Sequence, residues 1–272
     1  MRLDRLADED AEPEGRLAPK ARPLTRAGSG PHPSGDMNPF DRDVMGFINS
    51  FAGRSWALDR CVVLLSQSDV LQGSAAIAVA WWAWFLPDPA RDRRRRLVLA
   101  VFCGALLALV LCRLAALGLP FRDRPIHDAS AQVVIAFGMS RGVLQGHSAF
   151  PSDHAALAFS LAAGMWFVSR FAGTLLLAQA ALLICLPRVY LGLHYPTDIL
   201  GGALLGIVAA WAVTRRSAAT WIARPLLALE ANRPGFFYPG FVILSIQIAD
   251  MMREVRSIAT VARFGWHALT RR

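Results

Sequence analysis

Lysine is almost missing from this chain. Lys20 is the only one among 272 residues, so arginine carries the basic excess, a formal net charge of +9. Charged residues of both signs make up only 18%, against about a quarter in soluble globular domains. Cysteine is scarce as well. Cys61, Cys103, Cys112 and Cys185 show no C-x-x-C spacing, and three of them lie inside apolar runs. Such cysteines are expected to pack rather than to form disulfides or hold metal. A secretory leader pattern is also missing from the start, where residues 1–36 are polar and rich in Pro, Gly, Arg and acids. That composition is expected to be a disordered tail. Recognisable patterning begins just after Met37, which makes Met37 a candidate start of translation.

What abounds is hydrocarbon. Hydrophobic residues make up 54% of the chain, and the mean hydropathy is +0.37. Uninterrupted apolar runs define five expected spans at 69–86, 97–119, 152–169, 173–191 and 196–214, each near the ~20 residues that cross a bilayer. The stretch 43–66 contains Arg54, Asp59 and Arg60, each costing about 2.5–3.5 kcal/mol at mid-membrane. It is expected as an amphipathic helix on the membrane surface, leading into the first span. The fold class is therefore all-α: a polytopic membrane helix bundle with about five transmembrane helices and an interfacial N-terminal helix. The chain divides into a tail at 1–36, a membrane-embedded domain at 37–216 and a basic amphipathic C-terminal tail at 217–272. The best apolar run of that last part, "GFVILSIQIA" at 240–249, is too short to span and is expected in the interface.

Arginine also sets the expected sidedness. "PARDRRRRL" at 89–97, Arg170, and the pair Arg215 and Arg216 fall on one face, which the positive-inside rule makes cytoplasmic. The loops at 120–151 and 192–195 then share the opposite face. With five spans the N-terminus is expected on that face too, an awkward side for an arginine-bearing tail unless translation starts at Met37. The arginine excess is explained by topology and by anionic lipid headgroups, with nucleic acid excluded as a partner for a chain this apolar.

Three groups of unusual residues meet on the outer face: "LPFRDRPIHD" at 119–128, "FPSDHA" at 150–155 and "PRVYLGLHYPTD" at 187–198. Each has an ordinary explanation when taken singly. Ser152 and Asp153 suit a helix cap and first turn, Pro196 and Asp198 do the same, and arginines snorkel to headgroups. Capping does not explain two histidines at two helix starts with three arginines close by. Ionisable groups gathered at one membrane boundary point to a shared function.

Phosphoryl transfer fits these groups. A helix start presents unpaired N–H groups and partial positive charge to a phosphate, and Ser152 adds a hydroxyl there. Arg124 and Arg188 each offer two parallel donors to non-bridging oxygens, a grip that lysine cannot imitate. Arg122 and Asp153 complete the expected phosphate-binding set. Asp198, four residues after His194, is within plausible reach of one of its ring nitrogens, leaving the other to attack phosphorus. His154 is placed to protonate the leaving oxygen and afterwards to activate water. His127, Asp128, Arg141 and His147, in the same outer loop, are expected to be solvated loop residues.

Arg-Pro at 124–125, Pro-Ser-x-His at 151–154 and Arg-x5-His-x3-Asp at 188–198 resemble the phosphatidic acid phosphatase type 2 superfamily of membrane lipid phosphatases, in the family's order. The likeness extends over roughly 37–214. It implies His194 as nucleophile, Asp198 as its partner and His154 as general acid, with Arg124, Ser152 and Arg188 on the phosphate and no metal or other cofactor. Three positions depart from the family pattern. Leu117 stands where a lysine often begins the first motif, with Arg113 one helical turn earlier. Pro187 replaces a common serine, and Asp153 a common glycine. "FPSDH" and "HYPTD" look most like the bacterial undecaprenyl-diphosphatase subgroup. That resemblance implies a polyprenyl diphosphate substrate, a bacterial inner-membrane location and a site facing away from the cytoplasm, with phosphatidate or another lipid phosphate as the alternative substrate. It leaves the oligomeric state open. Two other readings are weaker. A metal hydrolase site finds no standard ligand spacing among the histidines and aspartates, and a transporter would set ionisable groups at mid-bilayer.

Overall fold

A computed structural model of the chain describes residues 37–68, 70–87 and 89–250, with the side chains of Val70 and Leu71 left aside. The tail expected at 1–36, the end of the C-terminal tail at 251–272 and Asp69 of the first expected span lie outside the described residues. Within them the protein is helical, without strands. Ten α-helices follow one another: α1 (Pro39–Asn49), α2 (Trp56–Gln67), α3 (Ala75–Phe85), α4 (Arg91–Gly118), α5 (Asp153–Val168), α6 (Arg170–Gln179), α7 (Leu186–Tyr190), α8 (Pro196–Thr214), α9 (Arg216–Asn232) and α10 (Pro234–Ala249).

Three rods are long and apolar enough to cross a membrane: α4, the continuous run Arg170–Tyr190, and α8. A π-helical stretch, Ala180–Cys185, joins α6 to α7 within the second rod. A fourth is reached if α2 and Gln72–Phe85, bent by 52°, count as one span. Helices α5 and α10 are apolar but have only 16 residues each. The multi-span helical bundle stands, with the first expected span formed by a π-helical stretch, Val70–Ser74, that continues into α3.

Helices α4, α5 and α8 pack closely on one another and form the centre. Small residues permit the close approach of α5 and α8. A Cβ on Gly202 would run into the Ser152 carbonyl, and one on Gly206 into the Ala156 carbonyl. A second part of the core is aromatic, with Trp84, Phe102, Phe237 and Phe241 in mutual contact between α3, α4 and α10.

The stretch expected as one surface helix is instead two. Gly53 takes φ +73, a backbone region that favours glycine, and Ser55 caps α2 through the N–H of Leu58. Asp59 is fully buried rather than facing headgroups, and accepts hydrogen bonds from Gly53 N, Phe137 N and the Tyr190 hydroxyl. These bonds replace the water that a membrane-surface aspartate would need. The described part of 217–272 also differs from a tail. Helix α9 sits at the arginine end, where Glu230 pairs with Arg95 at 3.0 Å. Helix α10 then runs antiparallel to α3: Phe237 stacks near Trp84, Ser245 accepts from Trp81 Nε1 at 3.0 Å, and Ala249 abuts Gly73. The apolar run at 240–249 is therefore part of a helix that begins upstream of Pro239 and packs on the bundle. Pro239 is accommodated inside this helix.

Candidate active site

The site assembles at the end of the bundle where α5 and α8 begin and α7 ends. Local chemistry fixes both helix starts. Ser152 caps α5, its hydroxyl accepting from Ala155 N at 3.4 Å, while its own N–H donates to the Asp198 carbonyl at 3.1 Å. Pro196 occupies the first position of α8, and Asp198 accepts from Tyr195 N at 2.8 Å, the reciprocal arm of a capping box. Between α7 and α8, Gly192 takes φ +66, in close contact with Val133. That reversal turns the chain so that His194 points into the protein, where it is 1% exposed.

The partners of His194 define its tautomer. Nδ1 lies 2.9 Å from the Ala149 carbonyl, which can only accept, so Nδ1 carries the proton. Nε2 lies 3.1 Å from Arg124 Nη1, which can only donate, so Nε2 presents its lone pair. Asp198 was the expected partner of the imidazole, but its Oδ2 is 3.7 Å from Nδ1, beyond hydrogen-bond reach. The backbone carbonyl of Ala149 takes that place. Burial pushes the His194 imidazole below its ordinary value of 6.5, and Arg124 adds to the effect against the pull of Asp198 and Asp153. The ring is therefore neutral at neutral pH.

Arg124 is buried and held by carbonyls. It donates to Leu193 at 2.8 Å, His147 at 3.3 Å and Ser148 at 3.3 Å. Arg188 is equally buried, with one nitrogen donating to the Ser66 carbonyl at 3.1 Å and to Gln72 Oε1 at 2.8 Å. His154 donates Nδ1–H to Asp153 Oδ1 at 2.8 Å, and Arg188 and His194 both lie within electrostatic reach of its ring. The structure thus brings His154, His194, Arg124, Arg188 and Ser152 together.

Arg122 and Asp153 belong to the same end but are engaged otherwise than a phosphate ligand would be. Arg122 Nη2 donates to Asp41 Oδ2 at 2.7 Å and Nη1 to Asp198 Oδ1 at 2.5 Å, with its guanidinium 4.1 Å from the Tyr195 ring centroid. Asp153 pairs with Arg113 at 2.6 Å besides His154. Asp41 is the residue that sequence reasoning missed. It comes from α1, is fully buried, and accepts from Thr197 N at 2.9 Å and Thr197 Oγ1 at 2.6 Å. Its burial opposes ionisation, but the bonds from Thr197 and Arg122 prevail and hold its carboxyl below the usual range. No local motif around Asp41 signals this, because its partners lie far along the chain.

A cavity of about 490 Å³ adjoins Arg124, with Asp123, His127, Arg141 and His147 among its walls. His127 Nε2 faces the Val143 carbonyl at 2.9 Å. Among the described residues, no group of three or more His, Cys, Asp or Glu is gathered as metal ligands would be.

Comparison with known proteins agrees with the motifs. Residues 119–221, which contain His154, His194, Asp198 and the arginines around them, match the model of the PAP2 superfamily. The Escherichia coli (strain K12) protein YbjG, a candidate undecaprenyl-diphosphatase, is 29% identical over 140 residues, covering 52% of this chain and 64% of YbjG. The bacitracin transport permease protein BcrC of Bacillus licheniformis is 38% identical over 63 residues, covering 23% of this chain and 30% of BcrC. The chain thus spans less than two thirds of the length of either relative. No solved structure matches it significantly. Over residues 119–221 the chain is thus similar to the PAP2 superfamily.

Proposed function

We propose that the protein is a membrane lipid phosphatase that releases phosphate from a polyprenyl diphosphate through a phosphohistidine. One observation carries the reading: a buried, neutral imidazole whose Nε2 lone pair is aimed at a guanidinium, with a second histidine close by. The names of the two relatives and the motif strings support the choice of substrate.

In the reaction, the terminal phosphate takes over the Arg124 N–H that covers Nε2 at rest, and Arg188 and Ser152 share its remaining oxygens. Nε2 attacks phosphorus. The P–N bond forms as the bridging P–O bond breaks, and the electron pair leaves on the lipid phosphate, which takes a proton from His154 Nε2. Water then attacks the phosphohistidine and gives its proton back to His154. The P–N bond breaks, inorganic phosphate departs through the cavity beside Arg124, and His194 returns neutral. The arginines balance the charge that gathers on the equatorial oxygens. Asp198 and Arg122 hold the start of α8, and with it His194, in place.

The test is phosphate release by the purified protein in chelator, measured against polyprenyl diphosphate, phosphatidate, phosphatidylglycerol phosphate and a soluble phosphate ester. The expected result is the highest kcat/KM on the diphosphate, and loss of turnover in a folded His194→Ala variant. Near-normal turnover in that variant overturns the mechanism, and a preference for phosphatidate overturns the substrate.

A further inference from the structure

The first-motif lysine common in the family has no counterpart here, since Leu117 is 77% exposed and turned outward on α4. One turn earlier, the half-exposed Arg113 meets Asp153, the residue that replaces the common glycine. We infer that Arg113 and Asp153 form a two-residue positioning device for His154, which orients its ring and sets the pH range over which it donates a proton. The inference rests on the role of His154 in the proposed reaction.

The geometry is a linear chain of contacts. Arg113 Nη2 holds Asp153 Oδ2 at 2.6 Å, and Asp153 Oδ1 holds His154 Nδ1 at 2.8 Å. A carboxylate so placed accepts the Nδ1 proton, fixes the tautomer and directs Nε2 toward the pocket, as outer partners orient histidine ligands. It also favours the protonated ring, the form that donates. Arg113 draws charge from the far oxygen and moderates that preference. Four further charged or titratable groups bear on this pair. Arg188 of α7 and His194 of the loop before α8 act on His154, and Arg124 and the neighbouring Cys112 of α4 interact with Asp153. All four remain in place when Arg113 or Asp153 is changed. Asp153 is thereby a positioning residue and not a ligand of the substrate phosphate, which a second anion would repel.

Two substitutions predict opposite movements of the alkaline limb of the pH–rate profile, where the donor loses its proton. Asp153→Asn removes the favouring charge, so the limb moves to lower pH and kcat falls by roughly 10²-fold. Arg113→Gln leaves Asp153 more strongly negative, so the limb moves to higher pH by a fraction of a unit. That shift is small because Arg113 is half-exposed and screened. A purely structural pair would lower activity in both variants without opposed shifts. The experiment is the kcat–pH profile of both variants in proteoliposomes, with His154→Ala as reference and melting curves to check the fold. Should Asp153→Asn fail to insert, the Arg113→Gln limb alone decides: an upward shift supports the inference and an unmoved limb overturns it. Limbs that move together, or wild-type kcat in Asp153→Asn, also overturn it. Normal turnover in His154→Ala instead overturns the proton-donor role in the underlying mechanism.

Discussion

His194 illustrates how a residue's chemistry follows from its surroundings. A histidine in water is half protonated near pH 6.5, and a protonated ring has no lone pair with which to attack phosphorus. Burial holds this one below that value, so the nucleophilic form persists as pH falls and is lost only when pH drops through the lowered value. The acid limb of kcat/KM is therefore expected below pH 6.5, the ordinary value of the ring, and a limb at or above it would contradict the assignment. Arg188 supports a second prediction at this scale. Its fork is anchored by the Ser66 carbonyl and Gln72, and a lysine cannot hold both and still reach a phosphate with paired donors. Arg188→Lys is expected to lower kcat/KM by roughly tenfold or more, about 1.4 kcal/mol of transition-state stabilisation. The placing of His194 and Arg188 at one end of the bundle was legible in the sequence, because the motif that joins them spans the turn from one apolar run into the next. Arg122 and Asp153 were read only in part. A motif shows that a charge is near the site but not which other charge it faces, and Asp41 and Arg113 come from α1 and α4.

Among the helices, the contact of α5 with α8 fixes the distance between the two histidines. Gly206 lies against the Ala156 carbonyl, and a Cβ there would also come within 2.9 Å of Ser160 N. Backbone atoms cannot swing aside as a side chain would, so the helices themselves must separate. Gly206→Ala is expected to destabilise the protein by about 1–3 kcal/mol. It should also cut turnover although every reacting group remains, since misplacement by ~1 Å alone costs about 10²-fold. Thermal unfolding in detergent and kcat on the same samples check both effects, and an unchanged melting temperature would refute the close packing. The sequence made the apolar character of these helices legible through run length, and their number and span less so. Helix α10 was read only as the short apolar run 240–249, whereas the helix begins before Pro239 and continues past it along α3. Asp59 was placed at the surface because its compensating donors, among them the Tyr190 hydroxyl, are distant in sequence.

The bundle of described helices has two chemically different ends. One carries Arg91, Arg93, Arg96, Arg170, Arg215 and Arg216, and the other carries the candidate site with α1 and α2 packed beside α7 and α8. The positive-inside rule then predicts the orientation. In a variant with its four cysteines replaced, Gln145→Cys should react with a membrane-impermeant maleimide on intact cells, and Ser217→Cys only after permeabilisation. Both positions are exposed, and the reverse pattern would invert the proposed topology.

The bond between Asp41 and Thr197 joins residues 156 positions apart. Ribosomes add about 5–20 residues each second, so Asp41 waits roughly eight to thirty seconds before Thr197 is made. Other partners of the first described helix, Arg122, Val134 and Tyr190, are made within that interval, so its berth is built in stages. A nascent chain halted before α8 would therefore hold a first helix able to meet Arg122 and α7, while the Asp41 carboxylate still lacked both of its bonds from Thr197.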